Sequence, residues 1–506
     1  MARIAFIKLF TGLNLASAQL SGELKRAGHS SCIIHFKEHE LVDVREMHQG
    51  WEWTECSGYV VAAGGIRKNL NCYRPFQDSE FELLIKTLRD FKADAVAISV
   101  VSGNIREASR ITRVIHEALP LPVIWGGHGP TLEPERCIKE ADLLCIHEGE
   151  QVIVDFANKL DAGEGIDGIA GTWCRQSDGS IAKYPGRPLV KLDDLAMPNW
   201  TREDNIHISG NTVTHNYYPS NLGESYAIMT QRGCPFSCSF CIESKYQDEF
   251  GKKDSLRRKS ASLIIDELVH AKATLPISRV LFYDDVFTVN PRWLKTFLAE
   301  YKEKVGLPFW CWTYPTTHNP EILSWLKDAG CDAITLGLQS GSARILEDHY
   351  GRPTKISRMH AAAEEIVDSG IHGEFDMIFR HPHETEEDLR MTVDFLLDFP
   401  QKMKAIWLAE MTYFPGHHFT AEAEAAAREN LVTYGRQLQV SDSLYDYYYR
   451  LFRLTRMKFP KERIRSLINN PEFREHPERL DEHMKYPEDK LAAAIARKKN
   501  NPSITY

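Results

Sequence analysis

Short apolar segments alternate with amphipathic helical segments in two successive runs along this chain of 506 residues. The first run, within residues 1–150, contains "RIAFIKLF", "SCIIHF", "ADAVAISV", "LPVIWGG" and "ADLLCIHEGE". The second begins near residue 223 with "SYAIMTQRG" and continues through "RVLFYDD", "PFWCWTYP", "DAITLGLQSG", "HGEFDMIFRH" and "AIWLAEMTYF". Strands that are apolar throughout and separated by helices form parallel sheets covered on both faces. The chain is therefore predicted to be an α/β protein with two parallel sheets.

The two runs predict different architectures. Residues 1–150 predict an open sheet with helices on both faces, and residues 223–420 hold about six β/α units, which fits a partial barrel. Residues 151–222 are interpreted as a connector with a small hairpin at Asp178-Gly179, and residues 421–506 as a small helical module in which "YDYYYRLFRL" is a packed helix. Because ligands bind beyond the carboxyl ends of parallel strands, functional residues are expected there.

Composition excludes some classes of function. The formal net charge of −9 offers no basic field for nucleic acid or an anionic membrane. No apolar run approaches the roughly 20 residues that span a bilayer. The start, "MARIAFIKLF", reads as a β-strand without a secretion signal, so we expect a cytoplasmic protein with no membrane span.

Three of the eleven cysteines form a cluster on one loop. The stretch "QRGCPFSCSFC" places Cys234, Cys238 and Cys241 at CxxxCxxC spacing, interleaved with proline and serine as in a loop. Three thiolates hold a cubane iron–sulfur cluster by three irons and leave the fourth open to a small chelating ligand. A structural zinc site is the alternative, with a distant histidine as fourth ligand. The eight scattered cysteines are expected to pack in apolar cores: Cys32, Cys56, Cys72, Cys137, Cys145, Cys174, Cys311 and Cys331.

The loop and the motifs after it resemble the radical S-adenosylmethionine (SAM) enzymes over roughly residues 222–420. The resemblance implies a [4Fe–4S] cluster on the three cysteines, which are then both the metal ligands and the catalytic residues. It also implies SAM contacts from "SFC", from "FYDD" in place of a Gly-Gly-Glu turn, and from "GLQSGSARIL", with "GRPT" continuing the pattern. The residues so implicated are Phe240 at adenine, Asp284 or Asp285 at the amino group, Gln339 and Ser340 at the ribose or carboxylate, and Arg344 at the carboxylate.

Two later turns also match the family's order. "FDMIFRHPHET" occupies the place of the fifth-strand "GxPgET" turn, but Arg380 and His383 stand where glycines are usual, and "TYFPGHHF" matches the sixth-strand "PG" turn. The histidines near the predicted barrel mouth are interpreted as pocket lining or surface, with a metal site or general base as the alternative. These histidines are His381, His383, His417 and His418.

Two other stretches near the cluster have simple readings. "WCWTYP", Trp310 to Pro315, is interpreted as barrel core that reaches the substrate cavity. "GKKDSLRRK" is interpreted as a solvated loop, with anion binding by Arg257 and Arg258 as the alternative.

The first run resembles the flavodoxin-like (Rossmann-type) cobalamin-binding domain that precedes the barrel in one subclass of these enzymes. "WGGHGPTLEPE" and "ADLLCIHEGE" are similar to the "GGxHaT…RGEGE" run common there, and glycines at strand ends let a corrin ring lie against the backbone. The DxHxxG loop that supplies a histidine to cobalt in many cobalamin proteins is absent. The cobalamin contacts implied are Ser102, Gly103, Gly126, Gly127, His128, Thr131, Glu148 and Gly149.

The resemblance implies a cobalamin-dependent radical SAM methyltransferase (class B-like). Its cofactors are the cluster, SAM and methylcobalamin, and it methylates an unactivated carbon through a 5′-deoxyadenosyl radical. The expected partners are a small-molecule or peptide substrate and an electron donor such as flavodoxin or ferredoxin, but not nucleic acid. A cyclisation or oxidative rearrangement without methyl transfer, for example on a tetrapyrrole, is the main alternative. A tRNA methylthiotransferase and a cobalamin or redox sensor are the others.

Overall fold

The structure is a computed structural model that divides the chain into two compact units, which are described separately. The first comprises residues 1–56, 71–222 and 414–416, and the second comprises 57–70, 223–413 and 417–506. The described residues are 1–10, 15–37, 40–42, 52–53, 58–62, 65–73, 76–218, 224–379, 383–399, 405–411, 420–421, 443–456, 461–468 and 470–480.

The described residues up to His215 contain thirteen strands. Their bounds are β1 Arg3–Leu9, β2 Ser30–Phe36, β3 Glu40–Val42, β4 Glu52–Trp53, β5 Gly58–Ala62, β6 Gly65–Tyr73, β7 Ala95–Ser99, β8 Val123–Gly126, β9 Leu143–Cys145, β10 Thr172–Arg175, β11 Ile181–Lys183, β12 Asn205–Ser209 and β13 Thr212–His215. The first unit's sheet has the order β11-β10-β9-β8-β7-β1-β2-β12-β13. Its predicted strands pair in parallel in the order β2-β1-β7-β8-β9, which is the flavodoxin-like order.

Helices cover both faces of this sheet, as continuously apolar strands require. They are α1 Leu15–Arg26, α2 Asp78–Phe91, α3 Ile105–Ala118, α4 His128–Leu132, α5 Pro134–Cys137 and α6 Glu150–Asp161. Ile7, Ile34 and Ile98 lie in the core on one face with residues of α2 and α3, while Ile4, Phe6 and Phe156 of α6 lie in the core on the other. The doubly wound prediction is confirmed.

The segment 151–222 is part of this unit and not a connector. The predicted hairpin at Asp178-Gly179 is present as β10 and β11, and it extends the sheet antiparallel to β9. Strand β12 pairs in parallel with β2, and β13 returns antiparallel beside it. The polar composition of β13 concealed this strand, because an edge strand whose side chains are largely exposed shows no apolar run.

The second unit is built on a parallel sheet of the six predicted strands. The remaining strands are β14 Ser225–Ile228, β15 Gln231–Arg232, β16 Arg257–Arg258, β17 Arg279–Phe282, β18 Phe309–Thr313, β19 Cys331–Gln339, β20 His372–Phe379 and β21 Ala405–Glu410. Strands β14, β17, β18, β19, β20 and β21 pair in chain order, all in parallel. Strand β5 adds antiparallel to β21, with β6 beside it. Residues 57–70, which include most of the hairpin β5–β6, therefore belong to the second unit and not to the predicted domain 1–150.

Helices connect the strands and form the end of this unit. They are α7 Ile242–Phe250, α8 Lys252–Ser255, α9 Ala261–Thr274, α10 Pro291–Lys304, α11 Pro320–Asp328, α12 Ile356–Asp368, α13 Glu386–Asp398, α14 Ser443–Arg456, α15 Lys461–Ile468 and α16 Pro471–Glu475. The aromatic stripe lies on α14, where Tyr447 and Tyr448 are buried, so it is a packed helix as predicted. No helix in the described ranges is long and apolar enough to cross a membrane.

The scattered cysteines behave as small core residues wherever the structure describes their side chains. Those buried are Cys32, Cys137, Cys145, Cys174, Cys311 and Cys331. Cys56 and the side chain of Cys72 lie outside the described part of the chain.

Candidate active site

The cysteine loop follows β14, at the carboxyl edge of the parallel sheet, as predicted. A buried carboxylate at the end of the neighbouring strand holds the start of this loop. Asp284 is fully buried and accepts hydrogen bonds from Thr230 N at 2.6 Å, Thr230 Oγ1 at 2.5 Å and Gln231 N at 2.8 Å. All three donors belong to residues at the start of the cysteine loop, so Asp284 holds this loop in position.

Asp285 remains as the candidate acceptor for the SAM amino group. It is reached by solvent, although protein atoms surround it on most sides, and this burial raises its pKa to about 6. Burial also raises the pKa of Glu243 to about 7, with the nearby charge of Asp285 adding to the effect. Two neighbouring carboxylates whose charges oppose each other favour a bound cation. Glu243 escaped the sequence analysis because no motif marked it.

Two features set the path of the loop. Gly233 has φ +84°, and a Cβ there would lie 2.4 Å from the Ser255 carbonyl oxygen, so only glycine fits. On α7, Gln247 donates from Nε2 to the Cys234 carbonyl oxygen at 2.5 Å and to that of Phe236 at 2.9 Å. No sequence motif marks Gln247, because a side chain that bonds to backbone carbonyls leaves no characteristic pattern in the sequence.

The three thiols lie in protected surroundings. Cys238 is buried, and Cys234 and Cys241 are half-buried. Burial raises the pKa of Cys234 to about 12 and raises that of Cys241 as well. Without a cation the thiols of Cys234 and Cys241 stay protonated, and a bound metal deprotonates a coordinating thiol outright. The donor set and its surroundings therefore fit a metal cluster.

The thiols do not converge as ligands of a single ion would. Among the described residues, no group of three or more His, Cys, Asp or Glu side chains is placed to hold one metal ion. An iron–sulfur cubane does not require such convergence, because each thiolate binds a different iron.

The "GRPT" segment supports the loop from the other side. Arg352 is buried, and it donates to the Gly337 carbonyl oxygen at 2.7 Å and approaches Cys238 Sγ at 3.6 Å. Ser239 N donates to the Tyr350 carbonyl oxygen at 3.1 Å, and the Tyr350 ring meets that of Phe240 at a centroid distance of 5.0 Å. The motifs placed far apart in sequence are thus brought together at the cysteine loop.

The end of β19 offers a polar group without a partner. Gln339 has φ +73°, and its Oε1 is buried without a hydrogen-bond partner in the described part of the chain. Such an atom fits a polar ligand at this edge. Ser340 is fully buried, and the next residue, Gly341, packs so closely on α13 that a Cβ would lie 2.6 Å from the Thr392 Cα. The Ser340 hydroxyl accepts from Ser342 N at 3.1 Å and lies 3.5 Å from Thr392 Oγ1, so it is bonded within the chain.

Arg344 has partners of its own on α13. Its guanidinium pairs with the Asp388 carboxylate, which also accepts from Ser342 Oγ at 2.6 Å and from Thr385 Oγ1 at 2.7 Å. Although burial opposes it, these hydrogen bonds hold the pKa of Asp388 below its ordinary value. The pair closes the turn after β19, and a SAM carboxylate would have to share Arg344 with Asp388.

The other residues near the predicted barrel mouth have mixed outcomes. Arg257 and Arg258 form β16, which pairs with β15 at the cysteine loop, so the prediction of a solvated loop was wrong. His383 stacks on His349 at a centroid distance of 4.8 Å. Outside the described residues lie Arg380, His381, His417 and His418 and the whole stretch "TYFPGHHF".

In the first unit, the predicted cobalamin contacts meet at one edge of the sheet. Ser102 and Gly103 follow β7, Gly126 ends β8 and Gly127 follows it, and Glu148 and Gly149 follow β9. Hydrogen bonds connect these loops. Val100 N donates to the Gly126 carbonyl oxygen at 2.8 Å, and His147 N donates to Thr131 Oγ1 at 3.0 Å. Because β7, β8 and β9 are parallel neighbours, their carboxyl ends form one surface.

This surface fits a flat ligand with amide groups. Gly127 has φ +105°, and a Cβ there would lie 2.7 Å from the Val100 carbonyl oxygen. Ser102 Oγ is buried and makes no hydrogen bond within the described ranges. His128 is exposed at this edge and surrounding protein lowers its pKa, while one Glu148 oxygen accepts from Val190 N at 2.8 Å.

Two protein-family models match the chain. The model of the radical SAM superfamily matches residues 228–396, which begin at the last residue of β14, include the cysteine loop and end within α13. The model of the B12 binding domain matches residues 60–157, which include the glycine-rich edge. The chain carries a radical SAM domain and a B12-binding domain. These domains imply a [4Fe–4S] cluster, SAM and cobalamin as cofactors.

The similar proteins include methyltransferases and a cyclase. An uncharacterized methyltransferase of Pyrococcus horikoshii is 27% identical over 327 residues, covering 63% of this chain and 67% of that protein. The anaerobic magnesium-protoporphyrin IX monomethyl ester cyclase of Rubrivivax gelatinosus is 24% identical over 362 residues, covering 69% of this chain and 61% of the cyclase. The chain thus matches about two thirds of the length of these relatives.

The fold is that of a solved radical SAM enzyme. The radical SAM methyltransferase TsrM of Kitasatospora setae, with cobalamin and a [4Fe–4S] cluster bound, aligns with a TM-score of 0.60 at 16% identity. The alignment covers 85% of this chain and 76% of TsrM. At this identity the likeness concerns the fold.

Proposed function

We propose that the chain is a cobalamin-dependent radical SAM methyltransferase that methylates an unactivated carbon of a small-molecule substrate. The observation that carries the proposal is the loop of Cys234, Cys238 and Cys241 at the carboxyl edge of the second unit's sheet. Three thiols without a fourth leave one iron of a cluster open, which is where a chelating cosubstrate binds. The methyltransferases among the similar proteins support methyl transfer.

The chain's own residues orient the cofactors. When bound, the cluster and SAM supply radical chemistry, and cobalamin supplies a transferable methyl group. Gln247 and Asp284 hold the loop that presents the thiols, and Arg352 places a positive charge beside Cys238. Asp285 and Glu243 would offer negative charge to the amino group of SAM, and Gln339 Oε1 would accept a hydrogen bond from a polar group of the same ligand. Ser102 and the loop of Gly126 and Gly127 would hold the corrin.

A second candidate is cyclisation or oxidative rearrangement without methyl transfer. The cyclase of Rubrivivax gelatinosus favours it, because it matches this chain over 362 residues. The two candidates share the cluster and SAM and differ in whether a methyl group leaves SAM for the product. An electron donor such as flavodoxin or ferredoxin and a cytoplasmic location belong to both candidates as predictions.

The proposal is tested by cofactor loading and by label transfer. The chain is purified anaerobically with iron, sulfide and hydroxocobalamin, and iron and cobalt are counted. We expect about four irons per chain, which the triple variant Cys234→Ala/Cys238→Ala/Cys241→Ala loses, together with near-stoichiometric cobalt. The matched control is Cys174→Ala, a buried cysteine of β10, which keeps its iron.

The reaction is then followed with methyl-labelled SAM, a reductant and candidate substrates. Label in the product together with 5′-deoxyadenosine supports methyl transfer. 5′-Deoxyadenosine with an altered but unlabelled product favours the cyclase-type reaction. Iron without cobalt contradicts the cobalamin mechanism, and zinc in place of iron contradicts the whole proposal.

A further inference from the structure

One face of the second unit's sheet is left partly exposed by the helices within the described residues. On β18, Phe309 and Cys311 are fully buried against the helix-covered side, whereas Trp310 and Trp312 point the other way and are partly exposed. Side chains alternate between the two faces of a strand. On β20, Glu374 and Asp376 are likewise the half-buried alternates of the buried Phe375. We call the partly exposed side the open face.

Three aromatic rings cluster on the open face. The centroid of Tyr283 lies 5.2 Å from that of Trp310 and 5.1 Å from that of Trp312, and the two tryptophans are 4.2 Å apart. All three pairs are edge-to-face, with interplanar angles of 60°, 73° and 66°. Faces of tryptophan and tyrosine rings attract organic cations. This cluster is the aromatic corner of the open face.

Two carboxylates stand on the strands beyond the aromatic corner. The sheet register places Trp312 beside Thr335, and Thr335 beside Glu374, so these residues form one row across three strands. Trp310 Nε1 donates to Thr335 Oγ1 at 2.8 Å, and Thr335 Oγ1 donates to Glu374 Oε2 at 3.0 Å. The side chain of Trp312 lies close enough to Asp376 to lower the pKa of that carboxyl. Trp310 therefore orients Glu374 through Thr335, and Asp376 lies near the other tryptophan of the corner.

Most of the cationic side chains described near these carboxylates bind other groups. Arg279 pairs with Asp332 at 2.7 Å, and Arg352 donates to the Gly337 carbonyl oxygen and lies beside Cys238 Sγ. His372 Nε2 is 3.9 Å from Glu374 Oε1. Within the described residues, no lysine or arginine forms an ion pair with Glu374 or Asp376. Burial, then the charge of Glu374, raises the pKa of Asp376 to about 7, although the charge of Arg352 lowers it in part. The two carboxylates therefore repel each other in the protein alone.

We propose that the open face binds the substrate through an organic cation, an ammonium or guanidinium group, held between Asp376 and Glu374 and against the aromatic corner. This inference rests on the proposed function, since it names the substrate class of that site. A cation satisfies both carboxylates at once, and aromatic rings beside carboxylates select it over a neutral isostere. The row of Thr335 and Glu374 lies four residues before the end of β19 and five before the end of β20, below Gln339 at the SAM edge.

The test compares probes of the same shape and different charge on the full, cluster-loaded chain. Calorimetry at about pH 8, where Asp376 is ionised and the amine protonated, measures 2-phenylethylammonium, 2-phenylethanol and 3-phenylpropionate. We expect the ammonium to bind at least tenfold more tightly than the alcohol, and the carboxylate not to bind. Equal binding of ammonium and alcohol overturns the proposal without any variant.

Variants locate the site. Asp376→Asn and Glu374→Gln should each weaken the ammonium at least fivefold and leave the alcohol unchanged, and a thermal melt checks that each is folded. The matched control is Asp328→Asn, an acidic residue at the end of α11 that pairs with Lys302, and it should leave both probes unchanged. An ammonium preference that survives both open-face variants overturns the assignment to this face.

SAM itself carries a sulfonium and an ammonium, so it is the other source of a cation. The titration is repeated with SAM in excess, and we expect the probe to bind in its presence. Competition between SAM and the probe would assign the open face to SAM and contradict a substrate cation. Cleavage of SAM to 5′-deoxyadenosine is measured in the same preparation. Cleavage without ammonium preference refutes only this inference, and ammonium preference without a cluster or cleavage refutes only the proposed function.

Discussion

Both units carry their candidate site at the carboxyl edge of a parallel sheet, but different chemical groups form the two sites. In the first unit, the carboxyl edge of β7 to β9 presents glycines and backbone, with the buried hydroxyl of Ser102 and the side chains of His128 and Glu148 beside them. In the second, the edge of β14 to β19 carries thiols, carboxylates and an amide. A broad, flat ligand needs side chains to be absent, whereas a metal cluster needs specific ligands. The parallel sheet supplies the location in both units, and the loops decide the chemistry.

The largest loss of stability should come from Gly233→Ala. This variant tests whether the second site, like the first, requires a glycine where a side chain would clash. The new Cβ would meet the Ser255 carbonyl oxygen at 2.4 Å in a left-handed conformation. We expect a loss of about 4 kcal/mol of unfolding free energy, with loss of iron and retention of cobalamin. The control Gly251→Ala has φ +80° and open space, so it should lose about 1 kcal/mol and keep its iron. Equal effects of the two variants would contradict the clash.

Gly127→Ala is the matching change in the first unit. Its Cβ would lie 2.7 Å from the Val100 carbonyl oxygen, so we expect a loss of about 3 kcal/mol and of cobalamin, with iron unchanged. Gly28→Ala, at φ +83° with open space, separates backbone strain from the clash. Cobalt and iron analysis beside denaturant unfolding reads the result. Loss of iron in Gly127→Ala would contradict the prediction that each substitution affects only the site of its own unit.

The adjacent carboxylates Asp284 and Asp285 should separate in their effects. Asp284→Ala leaves the buried donors of Thr230 and Gln231 without their acceptor, which should cost about 2–3 kcal/mol and loosen the cysteine loop. Asp285→Ala removes a carboxylate that is reached by solvent and repels Glu243, so it should not lower the unfolding free energy by more than about 0.5 kcal/mol, and it should weaken SAM binding. Denaturant unfolding and SAM titration of both variants provide the check. A stability loss in Asp285→Ala as large as that in Asp284→Ala would contradict these roles.

The smallest effect is a pH dependence at Asp376. Its pKa of about 7 in the folded protein exceeds the ordinary value of 3.8, so its contribution to stability is full below about pH 4 and is lost as pH rises to 7. Asp376→Asn removes this loss. We expect the variant to gain about 1–2 kcal/mol over the parent between pH 5 and pH 8, measured by denaturant unfolding. A difference between variant and parent that does not change with pH would contradict the raised pKa.

Periodicity and motif spacing predicted most of the fold but not its edges. The sequence predicted the strands from β1 to β9 that are apolar throughout and the six parallel strands of the second sheet, because each is an apolar run of the length of a strand. Strand β13 is polar because it is an edge strand, and the hairpin β5–β6 pairs with β21, more than 300 residues away. No local pattern records such a partner, because pairing at an edge depends on which strand is left exposed.

The candidate site divides in the same way. The spacing of Cys234, Cys238 and Cys241 predicted the cluster ligands, because three ligands on one short loop are a local property of the chain. Asp284 and Asp285 are indistinguishable in sequence, and only their surroundings assign one to the loop and the other to the open edge. Gln247 and Arg352 act through backbone atoms and a distant thiol, so their roles have no sequence signature.

The sequence by itself determined the two parallel sheets, the thiol loop and the glycine-rich edge, because each is specified by residues close together in the chain. Only the tertiary structure decided which carboxylate is buried, which arginine is already paired, and that Trp310, Trp312, Glu374 and Asp376 share one face. These properties depend on strand register and on the side from which helices cover the sheet. Burial and charge pairing are sums over neighbours that are distant in sequence, and they exist only once the chain has folded.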